Sequence, residues 1–195
     1  MKNLLILDNY DSFTYNLADY ASQCSDNYHI QVIRNNEINI EDAKSYDAFI
    51  LSPGPGLPKD AGIMPALLKQ LPVDKPLLGV CLGLQAIGEA YGAELKNLRQ
   101  VLHGVSRTTY IIDPDDPLYA GIPKSFEAGR YHSWTVKREN LPIDLILTGI
   151  DKDGEVMSLR HKSFPIYGVQ YHPESILTNW GKKIIQNFID IASQF

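Results

Sequence analysis

The chain is 195 residues long, with 44% hydrophobic and 21% charged residues, the proportions of a globular protein able to build one sizeable core. Eighteen basic residues against 23 acidic ones leave a net charge of −5, and no window carries a basic cluster, which argues against nucleic acid or an anionic membrane as a partner. The opening run Leu4-Leu5-Ile6-Leu7 stops at Asp8, too short for a signal-peptide core or a membrane span, so a cytoplasmic location is expected.

Residues 3–7 read as a buried strand that enters a polar loop at Asp8-Asn9-Tyr10-Asp11. From Ser12 onward Phe13, Leu17, Tyr20, Ala21 and Cys24 recur at helical spacing, with Asp11 or Ser12 as the expected N-cap. Residues 29–34 and 47–51 read as strands, the latter entering the turn-rich Ser52-Pro53-Gly54-Pro55-Gly56-Leu57-Pro58. Residues 63–71 form a second helical stretch, and residues 77–80 a strand that runs straight into Cys81 and a helix over 82–91, closed by Gly92. Beyond this point residues 101–112, 126–136, 144–150 and 156–160 read as strands with short connections. Residues 167–171 return to the buried-strand pattern, before a last helix with Ile184, Ile185, Phe188, Ile189 and Ala192 on its apolar stripe. The order predicts an α/β fold: a mostly parallel central sheet with helices on both faces, plus antiparallel strand additions. One domain over residues 1–195 is expected, without repeats or linkers.

Two cysteines, Cys24 and Cys81, are expected as free thiols in a reducing compartment. Cys24 lies on the apolar stripe of the first helix and is assigned to the core. Gly79-Val80-Cys81-Leu82-Gly83 instead has the form of a nucleophile elbow, in which a strand ends, one residue turns, and a helix begins. The helix start would offer free N–H groups to a thiolate or an oxyanion. Spacing alone leaves two readings, a nucleophile or a small buried cysteine. A nucleophilic thiol needs an oriented histidine. His172 emerges at the same sheet edge, Pro173 fixes the chain exit, and Glu174 can turn back on the imidazole. His29, His103, His132 and His161 lack such a companion, and His161 stands between Arg160 and Lys162. The proline- and glycine-rich loop 52–58 could supply a second oxyanion donor or be a rigid turn. No metal-ligand spacing, dinucleotide motif or P-loop is present, and Asp113-Pro114-Asp115-Asp116 reads as a surface turn.

Five separated blocks in order make the chain resemble the class I (triad) glutamine amidotransferases over nearly its whole length. They are 8–17 (Asp8-Asn9-Tyr10-Asp11-Ser12-Phe13-Thr14-Tyr15-Asn16-Leu17), 52–56, 79–85, 130–133 and 171–178. The spellings of the first, second and last are similar to the anthranilate synthase component II branch, and nearly the same in the aminodeoxychorismate synthase branch. The resemblance implies the flavodoxin-like fold of that family. It implies Cys81 as nucleophile, His172 as base and Glu174 as its orienter. Gly54, Pro55, Gly56 and the Leu82 N–H would frame the oxyanion site, and Gln85, Ser133 and Trp134 would contact glutamine. It further implies no cofactor and no metal in this chain, and ammonia delivery to a chorismate-binding synthase subunit (component I), most simply that of anthranilate synthase. The alternatives are the equivalent subunit of aminodeoxychorismate synthase, a component shared by both synthases and, less in keeping with the resemblance, a stand-alone γ-glutamyl hydrolase. The chain departs from the family at Trp134, usually leucine, at Tyr171, usually phenylalanine, and at Val105, usually lysine.

Overall fold

Every residue of the first strand from Leu4 to Leu7 is fully buried, because the sheet to which it belongs is covered on both faces. The computed structural model describes residues 1–98 and 102–195. In chain order the elements are β1 (Lys2–Asp8), α1 (Thr14–Cys24), β2 (Tyr28–Arg34), α2 (Ile40–Ala43), β3 (Ala48–Leu51), α3 (Met64–Gln70), β4 (Leu77–Val80), α4 (Leu82–Ala90) and β5 (Leu95–Asn97). There follow β6 (Val105–Ile111), β7 (Ser125–Arg130), β8 (Trp134–Val136), β9 (Leu145–Ile150), β10 (Val156–His161), β11 (Ile166–Val169) and α5 (Gly181–Ala192).

Nine of these strands form one sheet in the order β2-β1-β3-β4-β11-β10-β9-β6-β7 among the described residues. The first five run parallel, and β10, β9, β6 and β7 continue the sheet by antiparallel pairing. β5 and β8 make a separate antiparallel pair. The period-two alternation of β1 sends Leu4 and Ile6 to one core, shared with α1 and α5, and Leu5 and Leu7 to the other, shared with α3 and α4. The expected doubly covered α/β sheet is therefore present. In the register of β4 and β11, Val80 lies opposite Val169. Segments almost ninety residues apart thus leave the sheet side by side, at the carboxyl edge where open parallel sheets carry their sites.

Several local expectations are corrected. Neither Asp11 nor Ser12 caps α1: Phe13 occupies the cap position without a side-chain bond. Asp8 Oδ1 instead accepts from the Asp11 N–H and the Thr14 hydroxyl, while Asp11 Oδ1 accepts from the Phe13 N–H, so the carboxylates order the loop before the helix. The stretch 126–136 is two strands, because the chain leaves β7 at Arg130 and joins β5 only from Trp134. Strand β6 begins at Val105, and residue 101 at the head of the expected strand lies outside the described residues. Cys24 is half-buried at the end of α1 and packs on the rim of the core, not within it.

Candidate active site

Cys81 is the residue between β4 and α4, and its backbone takes φ 52° and ψ −100°. A non-glycine residue at positive φ is costly, and such strain collects at sites that use it. The flanking glycines permit the turn. A Cβ on Gly79 would stand 2.5 Å from the Gly83 carbonyl carbon, and one on Gly83 would stand 2.6 Å from the Leu51 carbonyl oxygen. The Cys81 N–H is held by the Val169 carbonyl at 2.8 Å, so the elbow is pinned to β11. The first N–H groups of α4, that of Leu82 among them, have no acceptor within the helix.

His172 follows three residues after β11. Its N–H donates to the Gly129 carbonyl at 3.1 Å, tying it to the end of β7. His172 Nδ1 and Glu174 Oε1 are 2.6 Å apart and both side chains are buried. Burial opposes a charge on this imidazole. Interaction with the Cys81 thiol and with the Glu174 carboxylate outweighs it, and holds His172 well above the ordinary histidine range. Its other nitrogen, Nε2, is buried without a well-formed hydrogen bond of its own. The ring is fixed by Tyr131, with centroids 4.7 Å apart, and by the edge of Phe13.

A cavity of about 140 Å³ opens beside the thiol, lined by Gly54, Pro55, Gly56, Cys81, Leu82, Gln85, Tyr131, His132, Ser133 and Trp134. Eight residues singled out in the sequence thus line one cavity, while His172, packed against Tyr131, and its partner Glu174 stand outside that lining. The loop 52–58 is strapped to the first loop: Asn9 N–H donates to Ser52 Oγ at 2.8 Å, and Asn9 Nδ2 to the Ser52 carbonyl at 2.9 Å. The segment 130–133 is held by N–H groups of Leu98, Leu102 and Gly104, which donate to the carbonyls of Ser133, His132 and Arg130.

Sequence reasoning missed three participants. Tyr131 and His132 belong to a recognised block, yet nothing local shows that they line the cavity. His132 is forced toward neutrality, to about 4, first by burial and then by the charges of Arg130 and His172, against the pull of its bond to Trp134. Its Nδ1 must carry the proton, since the partner 2.9 Å away is the Trp134 carbonyl. The third is Gln170, fully buried, whose amide nitrogen lies 3.5 Å from Cys81 Sγ. His161 is also pushed below its usual range, but burial is the main cause and Lys162 a lesser one. Asp11, His172 and Glu174 place one potential metal-ligand atom each within 4.8 Å of one another. Because His172 Nδ1 and Glu174 Oε1 are already paired, the group is a hydrogen-bonded dyad with a neighbouring carboxylate, not an open ligand set.

A family model described as glutamine amidotransferase class-I matches residues 5–192. Anthranilate synthase component 2 of Pseudomonas aeruginosa is 44% identical over 193 residues, covering 95% of this chain and 94% of the relative. The bifunctional protein TrpGD of Thermotoga maritima is 42% identical over 98% of this chain, which spans only 32% of that relative's length. In fold alone, a crystal structure of a Thermoplasma acidophilum protein, described as part of a GMP synthase, superposes with a TM-score of 0.88 at 23% identity, covering 100% of this chain and 95% of that one. Among the described residues no helix is long and apolar enough to cross a membrane.

Proposed function

This chain belongs to the class-I glutamine amidotransferase family, and from that premise we propose that it is the glutaminase component of a cytoplasmic anthranilate synthase, one domain over residues 1–195 that feeds ammonia to a chorismate-binding synthase subunit. The observation that carries the reading is the meeting of a strained, helix-capping Cys81 with the 2.6 Å His172–Glu174 pair beside a small polar cavity.

In the proposed reaction Cys81 Sγ attacks the carboxamide carbon of glutamine's side chain. The oxyanion is received by the Leu82 N–H, with the backbone of Gly54 to Gly56 facing it across the cavity. His172, which favours its charged form, gives its proton to the departing ammonia and leaves a γ-glutamyl thioester on Cys81. The neutral imidazole then takes a proton from water, which attacks the thioester and releases glutamate. Glu174 holds Nδ1–H throughout and stabilises the imidazolium at each turn. Gln85 spends its amide hydrogens on the Trp134 carbonyl and Gln170, so it faces the substrate through its carbonyl oxygen, and Ser133 and Trp134 form the opposite wall.

The test mixes the chain with an anthranilate-forming and, separately, an aminodeoxychorismate-forming synthase partner and follows amination of chorismate with glutamine as nitrogen source. Glutamine-dependent anthranilate is the expected product. Glutamine hydrolysis at one rate with or without either partner, and no aminated product, would instead mark a stand-alone γ-glutamyl hydrolase.

A further inference from the structure

We propose that Gln170 is a positioning residue for the nucleophile: its side-chain amide, oriented by Gln85, donates to Cys81 Sγ and favours the thiolate. The inference rests on the glutaminase reading for its purpose, but not for its geometry.

Gln170 is the first residue after β11, and its own N–H is fixed to the Met157 carbonyl at 2.8 Å. The side chain is fully buried, where an amide is tolerated only if its polar atoms are paired. Its carbonyl oxygen accepts from Gln85 Nε2 at 3.3 Å, and its amide nitrogen lies 3.5 Å from Cys81 Sγ. The direction of this chain of bonds is dictated from its far end. The Trp134 carbonyl can only accept, so the nitrogen of Gln85, 2.9 Å away, must face it. That nitrogen's second hydrogen then demands an acceptor, which fixes the oxygen of Gln170 toward Gln85 and its NH2 toward the sulfur.

A donor-only NH2 makes the sulfur an acceptor. The thiol proton is therefore turned away from Gln170, and ionisation converts a weak contact into a charge-assisted hydrogen bond. Three hydrogen bonds in series thus join the nucleophile to the Trp134 carbonyl in the cavity wall, which also takes the His132 Nδ1 proton. The titratable groups near the thiol are His172 with Glu174, His132, and the Asp11 carboxylate beside that dyad. None of them is altered in the variants below.

In a Cys24→Ala background, Cys81 is the sole thiol and its alkylation by iodoacetamide can be followed against pH without any substrate. Gln170→Met should move the alkylation midpoint to higher pH by about one unit. The isosteric Gln170→Glu should move it in the same direction, and Gln85→Met, which leaves Gln170 present but unoriented, should move it less. Unfolding curves for each variant separate this readout from misfolding. Profiles that superimpose on the parent for both Gln170 variants would overturn the proposal and leave Gln170 a space-filling residue. Alkylation with the expected dependence on Gln170 in a parent chain that fails to hydrolyse glutamine even with a synthase partner and chorismate present would contradict the proposed function instead.

Discussion

Cys81 and His172 belong to segments that share no local signal, yet each stands out in the sequence because its pattern compresses into a few adjacent residues: an elbow around one, a carboxylate two places from the other. His172→Ala should lower glutamine turnover by at least about 10²-fold, the usual worth of a positioned acid–base. Glu174→Gln should cost less, since it keeps the shape and loses only the charge, and steady-state glutaminase rates compare the two. Because His172 is held above the ordinary histidine range, turnover limited by its proton should fall on the alkaline side of the profile. His132 should leave no mark there, being neutral above about pH 4. What the sequence hid at this scale was burial. Asp116, read as part of a surface turn, is buried, and desolvation lifts its carboxyl to about 6. An acid raised on folding stabilises the fold below its unfolded value and withdraws that stability as pH rises through the folded one. The stability gained by Asp116→Asn over the parent should therefore grow between about pH 4 and pH 6, by up to about 3 kcal/mol. Urea unfolding across that range measures it, and a constant difference would refute the assignment. Tyr131, His132 and Gln170 were invisible for a related reason, since they come near Cys81 and His172 only once distant segments have paired.

Among the elements, the two loops at the sheet edge are packed as one unit. A Cβ on Gly54 would meet the Asn9 carbonyl oxygen at 2.5 Å, and Asn35 Nδ2 secures Asn9 from below through its side-chain oxygen at 3.0 Å. Movement of either loop is therefore felt by the other. Gly83→Ala would drive a methyl into the Leu51 carbonyl where α4 crosses β3, and such overpacking costs about 1–3 kcal/mol in urea unfolding. A neutral result would mean that α4 can shift without loss. The parallel strands were legible because residues buried on both faces leave continuous apolar runs. Helix capping was not, because Asp8 reaches forward six residues to Thr14 and displaces the nearer candidates. Strands β7 and β8 read as one because the three residues between them, Tyr131 to Ser133, include no glycine, proline, asparagine or aspartate and are held by distant backbone groups.

Taken whole, the molecule divides its labour along the sheet. The parallel half presents Cys81, the loop 52–58 and the segment bearing His172, the antiparallel half supplies the Gly129 carbonyl that anchors His172, and residues 131–134 come from the passage between β7 and the separate β5–β8 pair. Tyr10 and Ile176 stand exposed on the loops that carry Asn9 and Glu174, so a synthase partner seated there would press on the site's own supports. Glutaminase activity of the isolated chain should accordingly be slow and rise severalfold when partner and chorismate are both present, through a shift toward the competent loop state. Equal rates in steady-state assays would contradict such gating. In the proposed function glutamine chemistry resides on Cys81 and chorismate chemistry on the synthase partner. The most direct test of that division measures synthesis by the Cys81→Ala chain complexed with the synthase partner, with glutamine and then ammonium as the nitrogen source. Glutamine-dependent synthesis should disappear while ammonia-dependent synthesis persists at the parent rate. Equal loss with both nitrogen sources, or glutamine use that survives the substitution, would contradict it.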